Sequence, residues 1–480
     1  MKLERIPEYL TVTVVILIGM VVAVIAGKMS GAGQGQKVIL VVGAVIAVMA
    51  AIQMRTRSWL LIPILGALGG SFPKLKFPLS AEYLAIPYVF GIFLVLKALK
   101  LVRRKPRIDR VDLLMVCLLL LLVAAFIRNP VGVLMFESDR VGGRPYIAVA
   151  IACLGHWVLS RSAMTPKQAM WLPWVITALA CFDSAAGFIG DHFPALGNSL
   201  GLIYSGFAGA DLLGASSADE SSSLSGGIDR KAYLVSGAKR LVQLVCSFFD
   251  PITALNPLYF FRFAAFLSGI LMALFSGFRS QLVDITAFFL VAGCFRRGSA
   301  HLVRTALIGV PALALLVFAQ GTIVDLPLSV QRSLCFLPGH WDADTKSDAK
   351  GSEEWRYEMW KEAMTTNRYI QNKLWGDGFG VDRKVLDSVL EAQSRNISLY
   401  IRAEGQAIMG GFHSGPISTI RFVGYIGLVF YLLLTIAMML KALKLIRLAK
   451  RTPYFSFALF CCVGWLIHPF YFTFVFGQFE

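Results

Sequence analysis

The chain has 480 residues, of which 56% are hydrophobic and only 16% charged. Ordinary soluble chains carry roughly 25% charged residues, so conventional water-soluble domains, a disordered protein and a disulfide scaffold are excluded. The net charge of +17 would suggest nucleic acid in a soluble protein. Here the basic residues cluster between apolar runs, as in the cytoplasmic loops of membrane proteins, and no nucleic-acid partner is expected.

Apolar runs of about 17–22 residues recur from Tyr9 to the C-terminus, each able to cross a ~30 Å hydrocarbon core as a helix. Runs such as Leu113–Ile127 are apolar on every face, which excludes the alternating strands of an outer-membrane barrel. The expected fold is an all-α polytopic membrane protein. It has about 12–13 transmembrane helices and one long periplasmic loop. In chain order the spans fall near 10–26, 37–53, 58–72, 82–99, 111–127, 144–160, 169–189, 194–214, 256–276, 280–296, 302–320, 418–440 and 454–476.

Lys2 and Arg5 precede the first run, as in a retained signal anchor with a cytoplasmic N-terminus. Basic residues then fall in alternate connections: Arg55 and Arg57; Lys97 to Arg110; Arg161 and Lys167; Arg296, Arg297 and Arg304; Lys441 to Arg451. This alternation requires 194–214 to cross the membrane despite Asp211. The stretch 215–250 opens with a Ser/acidic tract, Ser216–Gly227. It continues with Leu234, Ala238, Leu241, Val245 and Phe248 on one helical face, a periodicity that predicts a helix lying in the interface. Residues 321–415 form the one long hydrophilic block; its 13 acidic and 11 basic residues give a net −2. The charge count places it outside, in the periplasm of a bacterial inner-membrane protein, and tryptophans at 341, 355, 360 and 375 argue against disorder. The position of the C-terminus stays open, because His468-Pro469 could split the last run. Seven of the eight cysteines lie in apolar or amphipathic segments, and no disulfide framework or metal-ligand spacing follows.

Chemistry-bearing residues collect on the expected outer face. They are the turn Ser276-Gly277-Phe278-Arg279-Ser280, Gln331-Arg332-Ser333, Arg356 to Trp360, Gly376-Asp377-Gly378-Phe379-Gly380, and His413-Ser414-Gly415-Pro416 before a helix with Arg421, Gly424 and Gly427. In this order the pieces resemble the O-antigen ligase and polymerase family of bacterial membrane glycosyltransferases, over roughly residues 256–440. The family usually has Asn where Ser414 stands, and often an acidic residue where Phe422 stands. Both departures bear on the acceptor more than on the reaction.

The resemblance implies transfer of a glycan from an undecaprenyl-pyrophosphate donor to a hydroxyl on a glycan or lipid-core acceptor. Ligase and polymerase both remain open. No cofactor is implied, neither metal nor nucleotide donor, because the leaving group is already a diphosphate. Arginine forks suit a developing diphosphate charge, and histidine suits a base near neutral pH. The expected substrate-binding residues are Arg279, Arg356, Arg332, Arg421, Arg128, Arg140 and Arg144, with His413 as base and Glu354, Asp377 and Asp382 as competing bases.

Each has a plainer reading. Arg279 can cap a helix or snorkel to lipid phosphates, Arg356 can stack on Trp360 or pair with Glu353, and His413 can be a turn residue. Asp183, Asp211, Arg262 and Asp284 would line a substrate path in a transporter, but most lie near predicted helix ends. A polysaccharide or lipid-linked glycan transporter is the rival class. Transporters commonly show two similar halves; no repeat is found here, and the single late loop breaks any such symmetry. A non-catalytic scaffold of an export complex is the third.

Overall fold

The computed structural model describes residues 54–70, 80–98, 108–130, 141–207, 230–381, 407–475 and 479. The spans expected at 10–26 and 37–53, the Ser/acidic tract, Arg140 and Asp382 lie outside the described residues. All regular elements described are helical, with no β-strand among them. The principal ones are α1 (Ala81–Ala98), α2 (Arg110–Arg128), α3 (Gly143–Leu159), α4 (Pro166–His192), α5 (Leu234–Phe248), α6 (Phe260–Phe275), α7 (Arg279–Arg297), α8 (Ala300–Ala319), α9 (Leu328–Leu334), α10 (Ala343–Thr365), α11 (Gly415–Ala449) and α12 (Phe455–Phe470). Five spans are long and apolar enough to cross a membrane: α2, α4, α8, α11, and α12 with its extension to Val475.

Local signals set the boundaries. Asp109 and Asp112 form a reciprocal capping box at the start of α2, and Thr165 and Gln168 form another before Pro166 at the start of α4. Gly298, at φ 73°, terminates α7 in a conformation that suits glycine. Pro469 does not split the last span. The helix runs through it and then widens into a π-turn over Tyr471–Val475.

Three expectations change. In the span expected at 58–72, the described part is a 3-10 turn, Arg55–Leu60, and a five-residue helix, Leu61–Leu65, before a glycine-containing turn. In 194–214 the described part is an eight-residue helix, Pro194–Gly201, and a 3-10 turn at Ser205–Phe207. Eight helical residues rise about 12 Å, less than half of the hydrocarbon core. Lastly, α5 does not lie on a surface: Ala238, Val242, Val245 and Cys246 are buried in the main core with Phe266, Phe288 and Leu459.

The polar side of α5 meets protein in part: Gln243 and Ser247 are buried, whereas Lys239 remains 40% exposed. Lys239 pairs with Asp284 of α7 at 2.9 Å, Arg240 donates to Gln243 at 2.9 Å, and the Arg240 carbonyl accepts from Thr177 of α4 at 3.4 Å. The helix also runs from one end of the bundle to the other. The Lys231 N–H donates to the Ser276 carbonyl at 3.1 Å, whereas at the far end Arg296 caps the carbonyls of Cys246 and Ser247. α5 therefore links the two ends of the bundle, although at 15 residues it is shorter than the five spans long enough to cross a membrane.

Contacts sort the other helix ends the same way. Asp109 to Lys441 (2.7 Å), Asp112 to Arg161 (3.3 Å), Arg297 to Asp250 (2.5 Å) and Tyr454 to the Met164 carbonyl (3.1 Å) tie together one end of the bundle. The hydrophilic block packs on the opposite end through tryptophans and small cores of its own. Trp360 donates to the Phe412 carbonyl at 2.6 Å and Trp341 to that of Leu337 at 2.8 Å. Met359, Ala363, Ile370 and Phe412 bury together with Ile420 of α11.

Candidate functional site

The turn between α6 and α7 is the frame on which the site is built. Ser276 is fully buried; its hydroxyl donates to the Ala273 carbonyl at 2.6 Å and accepts from the Phe278 N–H at 3.3 Å. Gly277 has φ 75°, a backbone that disfavours any side chain. Its carbonyl accepts from Arg332 Nη1 at 2.6 Å, while Arg332 Nε lies 2.5 Å from Asp348 Oδ2. Arg332 therefore bolts the turn to α10.

α7 begins at Arg279, whose Nη1 lies 2.6 Å from Glu353 Oε1 of α10. Three residues further along α10, Arg356 reaches the same space, with no hydrogen bond or ion pair to its guanidinium among the described residues. Arg230 arrives from the segment leading into α5. It is 7% exposed and 3.8 Å from Asp348 Oδ2 at its nearest ionic contact.

These four guanidiniums line one cavity of about 450 Å³, together with His413, Trp355 and the apolar side chains of Phe278, Phe336 and Phe474. Two carboxylates, Asp348 and Glu353, answer four positive charges, so the surplus is two. Burial first, and the neighbouring guanidiniums second, hold Arg230 and Arg356 down to about 10. Both stay charged at neutral pH, at a cost an anion would relieve.

His413 has φ 52° and is the non-glycine residue with positive φ among those described. Such backbones concentrate where a side chain must be aimed. The Phe412 carbonyl before it is held by Trp360, and its ring stands edge-on to Trp355 with centroids 6.0 Å apart. α10 thus carries Glu353, Trp355 and Arg356 to the entrance of α11.

The glycine turn does different work. α11 breaks at Gly424 (φ 72°, ψ −176°), freeing backbone groups that must find partners where water is excluded. Residues 373–378 provide them. Asp377 and Gly378 N–H donate to the carbonyls of Arg421 and Phe422 at 2.8 and 3.0 Å, and Tyr425 N–H donates to the Lys373 carbonyl at 2.8 Å. A Cβ on Gly376 would lie 2.5 Å from the nitrogens of Val423 and Gly424, so close approach requires glycine.

Arg421 sits 3.1 Å from Asp377 and donates to the Gly378 and Gly380 carbonyls. Arg128 donates to the carbonyls of Trp375 and Gly376 at 2.9 and 3.2 Å.

Of the expected site residues, the structure therefore brings Arg279, Arg332, Arg356 and His413 together and leaves Arg421, Arg128 and Arg144 outside the cavity. Arg421 and Arg128 are occupied in seating the glycine turn; Arg144 stands in the first turn of α3. Among the competing bases, Asp377 is taken up by Arg421 and the N–H groups of Gln371 and Asn372, and Glu354 pairs with Lys350 at 3.5 Å. Sequence reasoning missed Arg230. The signal was its place just before the start of α5, hidden once that helix was assigned to the interface. Compared with known proteins, the chain matches no protein-family model and no curated sequence.

Proposed function

We propose that the protein is a membrane glycosyltransferase of the O-antigen ligase or polymerase type, acting on a polyprenyl-diphosphate-linked glycan. The observation that carries this reading is the convergence of Arg279, Arg332, Arg356 and His413 on one cavity at the bundle end that carries the hydrophilic block. The opposite end holds Arg161, Arg296 and Lys441. By the excess of basic residues in cytoplasmic loops, the cavity end faces the periplasm of an inner membrane, at the level of a lipid diphosphate. The remaining short helices, including α5, complete a polytopic bundle.

In the reaction, the acceptor hydroxyl oxygen bonds to the anomeric carbon as the bond from that carbon to the diphosphate oxygen breaks. The hydroxyl proton passes to His413, and the polyprenyl diphosphate leaves with the electron pair. In-line displacement inverts the anomeric configuration. Guanidiniums fixed before the reaction stabilise the developing negative charge, each donor contributing a few kcal/mol. A positioned base contributes about 10²–10⁴-fold.

The test is transfer in proteoliposomes, from a polyprenyl-diphosphate glycan to core or glycan acceptors, with release of polyprenyl diphosphate measured alongside. His413→Ala should keep donor binding and lose ~10²-fold or more in transfer. Full transfer by His413→Ala across pH 6–8 would remove the histidine from the mechanism. Glycan movement across the bilayer without release of polyprenyl diphosphate would favour a transporter.

A further inference from the structure

The four guanidiniums of the cavity are not equivalent. Arg332 has its Nε committed to Asp348 and its Nη1 to the Gly277 carbonyl. Arg279 has Nη1 committed to Glu353. By contrast, Arg230 Nε and Nη2 and Arg356 Nε are buried without a hydrogen-bond partner. Arg230 is more than nine-tenths buried and lines the cavity.

Leaving the donors of a buried cation unmet costs more than leaving neutral ones unmet. The nearest carboxylate does not meet the need. Asp348 Oδ2 is 2.5 Å from Arg332 and 3.8 Å from Arg230, so it serves Arg332 and only grazes Arg230. An anion in the cavity that offers oxygens to Arg230 and Arg356 would meet the need of both.

We infer that Arg230, entering from the start of the central helix, is a diphosphate-binding residue, and that Arg230 and Arg356 together form the anion clamp while Arg332 positions the turn. The two belong to different parts of the fold, Arg230 to the helical bundle and Arg356 to the helix packed on its end. A diphosphate between them ties these parts together. The inference rests on the proposed site but not on glycan transfer. Its chemistry is shared by free pyrophosphate and by the head group of a prenyl diphosphate.

The experiment uses the full chain in lipid nanodiscs, titrated with inorganic pyrophosphate, inorganic phosphate and farnesyl diphosphate, with binding and thermal unfolding both recorded. Wild-type protein should bind pyrophosphate more tightly than phosphate, and tighter still binding of farnesyl diphosphate would identify a lipid source. Arg230→Gln should weaken pyrophosphate at least 10-fold, and Arg230→Lys should fall between, keeping the charge but losing the fork. Without anion, Arg230→Gln should unfold at the wild-type temperature or above it, since a buried charge is removed. Affinity within twofold of wild type in both variants would overturn the assignment. So would a lowered unfolding temperature, or failure to fold, in Arg230→Gln, since Arg230 would then be structural. If binding needs Arg230 and no glycan is transferred, the transferase reading fails and this inference stands. Transfer that needs His413 but not Arg230 gives the reverse.

Discussion

Gly424→Ala should uncouple the glycine turn from α11. The native backbone there, φ 72° and ψ −176°, is a region open almost only to glycine, and occupying it costs about 1–3 kcal/mol. The added Cβ would also lie 2.2 Å from the Leu374 carbonyl oxygen and 2.5 Å from the Gly376 nitrogen. Both are backbone atoms, so the turn itself must retreat. Retreat breaks the bonds from Asp377, Gly378, Tyr425 and Ile426 N–H groups to their carbonyls, at about 1 kcal/mol each. It also strains the buried Arg421–Asp377 pair; losing such a pair costs about 3–5 kcal/mol. Full loss of all of these would total roughly 8–12 kcal/mol, which rivals the entire stability of an ordinary domain. Thermal unfolding in mild detergent, with limited proteolysis at Lys373, reads both consequences: a midpoint lower by up to roughly 8–12 °C and new cleavage in the turn. An unchanged midpoint with Lys373 still protected would refute the claim that the turn completes the broken helix.

Other outcomes follow from the same geometry. A cysteine at Ser347, in a background without native cysteines, should react with an impermeant maleimide in intact spheroplasts; labelling only after lysis would reverse the orientation. Arg279→Lys and Arg356→Lys should each express normally and lose most glycan transfer, and wild-type transfer by both would defeat their assignment to the diphosphate. Asp348→Asn should destabilise the protein by about 3–5 kcal/mol, because it strands Arg332 in a buried position; denaturant unfolding at the wild-type midpoint would contradict this.

The helical class and most helix positions were legible because apolar runs report burial in lipid directly. Residues whose roles depend on long-range partners were not. Arg421 and Arg279 looked alike as arginines near helix entrances, yet one is absorbed by Asp377 and two carbonyls and the other opens on the cavity. Periodicity placed Ala238 and Val245 on a buried side of α5, but it could not show that Gln243 and Ser247, on the polar side, are buried as well or that Asp284 meets Lys239. The same ambiguity concealed Arg230. Gly376, Gly378 and Gly424 stood out in the sequence, but their shared purpose appears only once the turn is seated in the break.

The burial of α5 has a consequence for how the chain is made. A segment of 15 residues that includes Lys239 and Arg240 partitions poorly into a bilayer on its own, since such residues near the centre of a span cost about 2.5–3.5 kcal/mol each. Its compensating groups, Asp284 and the ring of Phe460, emerge from the ribosome later. On the proposed topology, insertion runs out of order: α5 waits at the membrane surface until α6 and α7 exist to receive it. Chains stopped at Asn256 should leave α5 untranslocated, whereas chains extended past Arg297 should carry it in, a difference that site-specific labelling of nascent chains would detect.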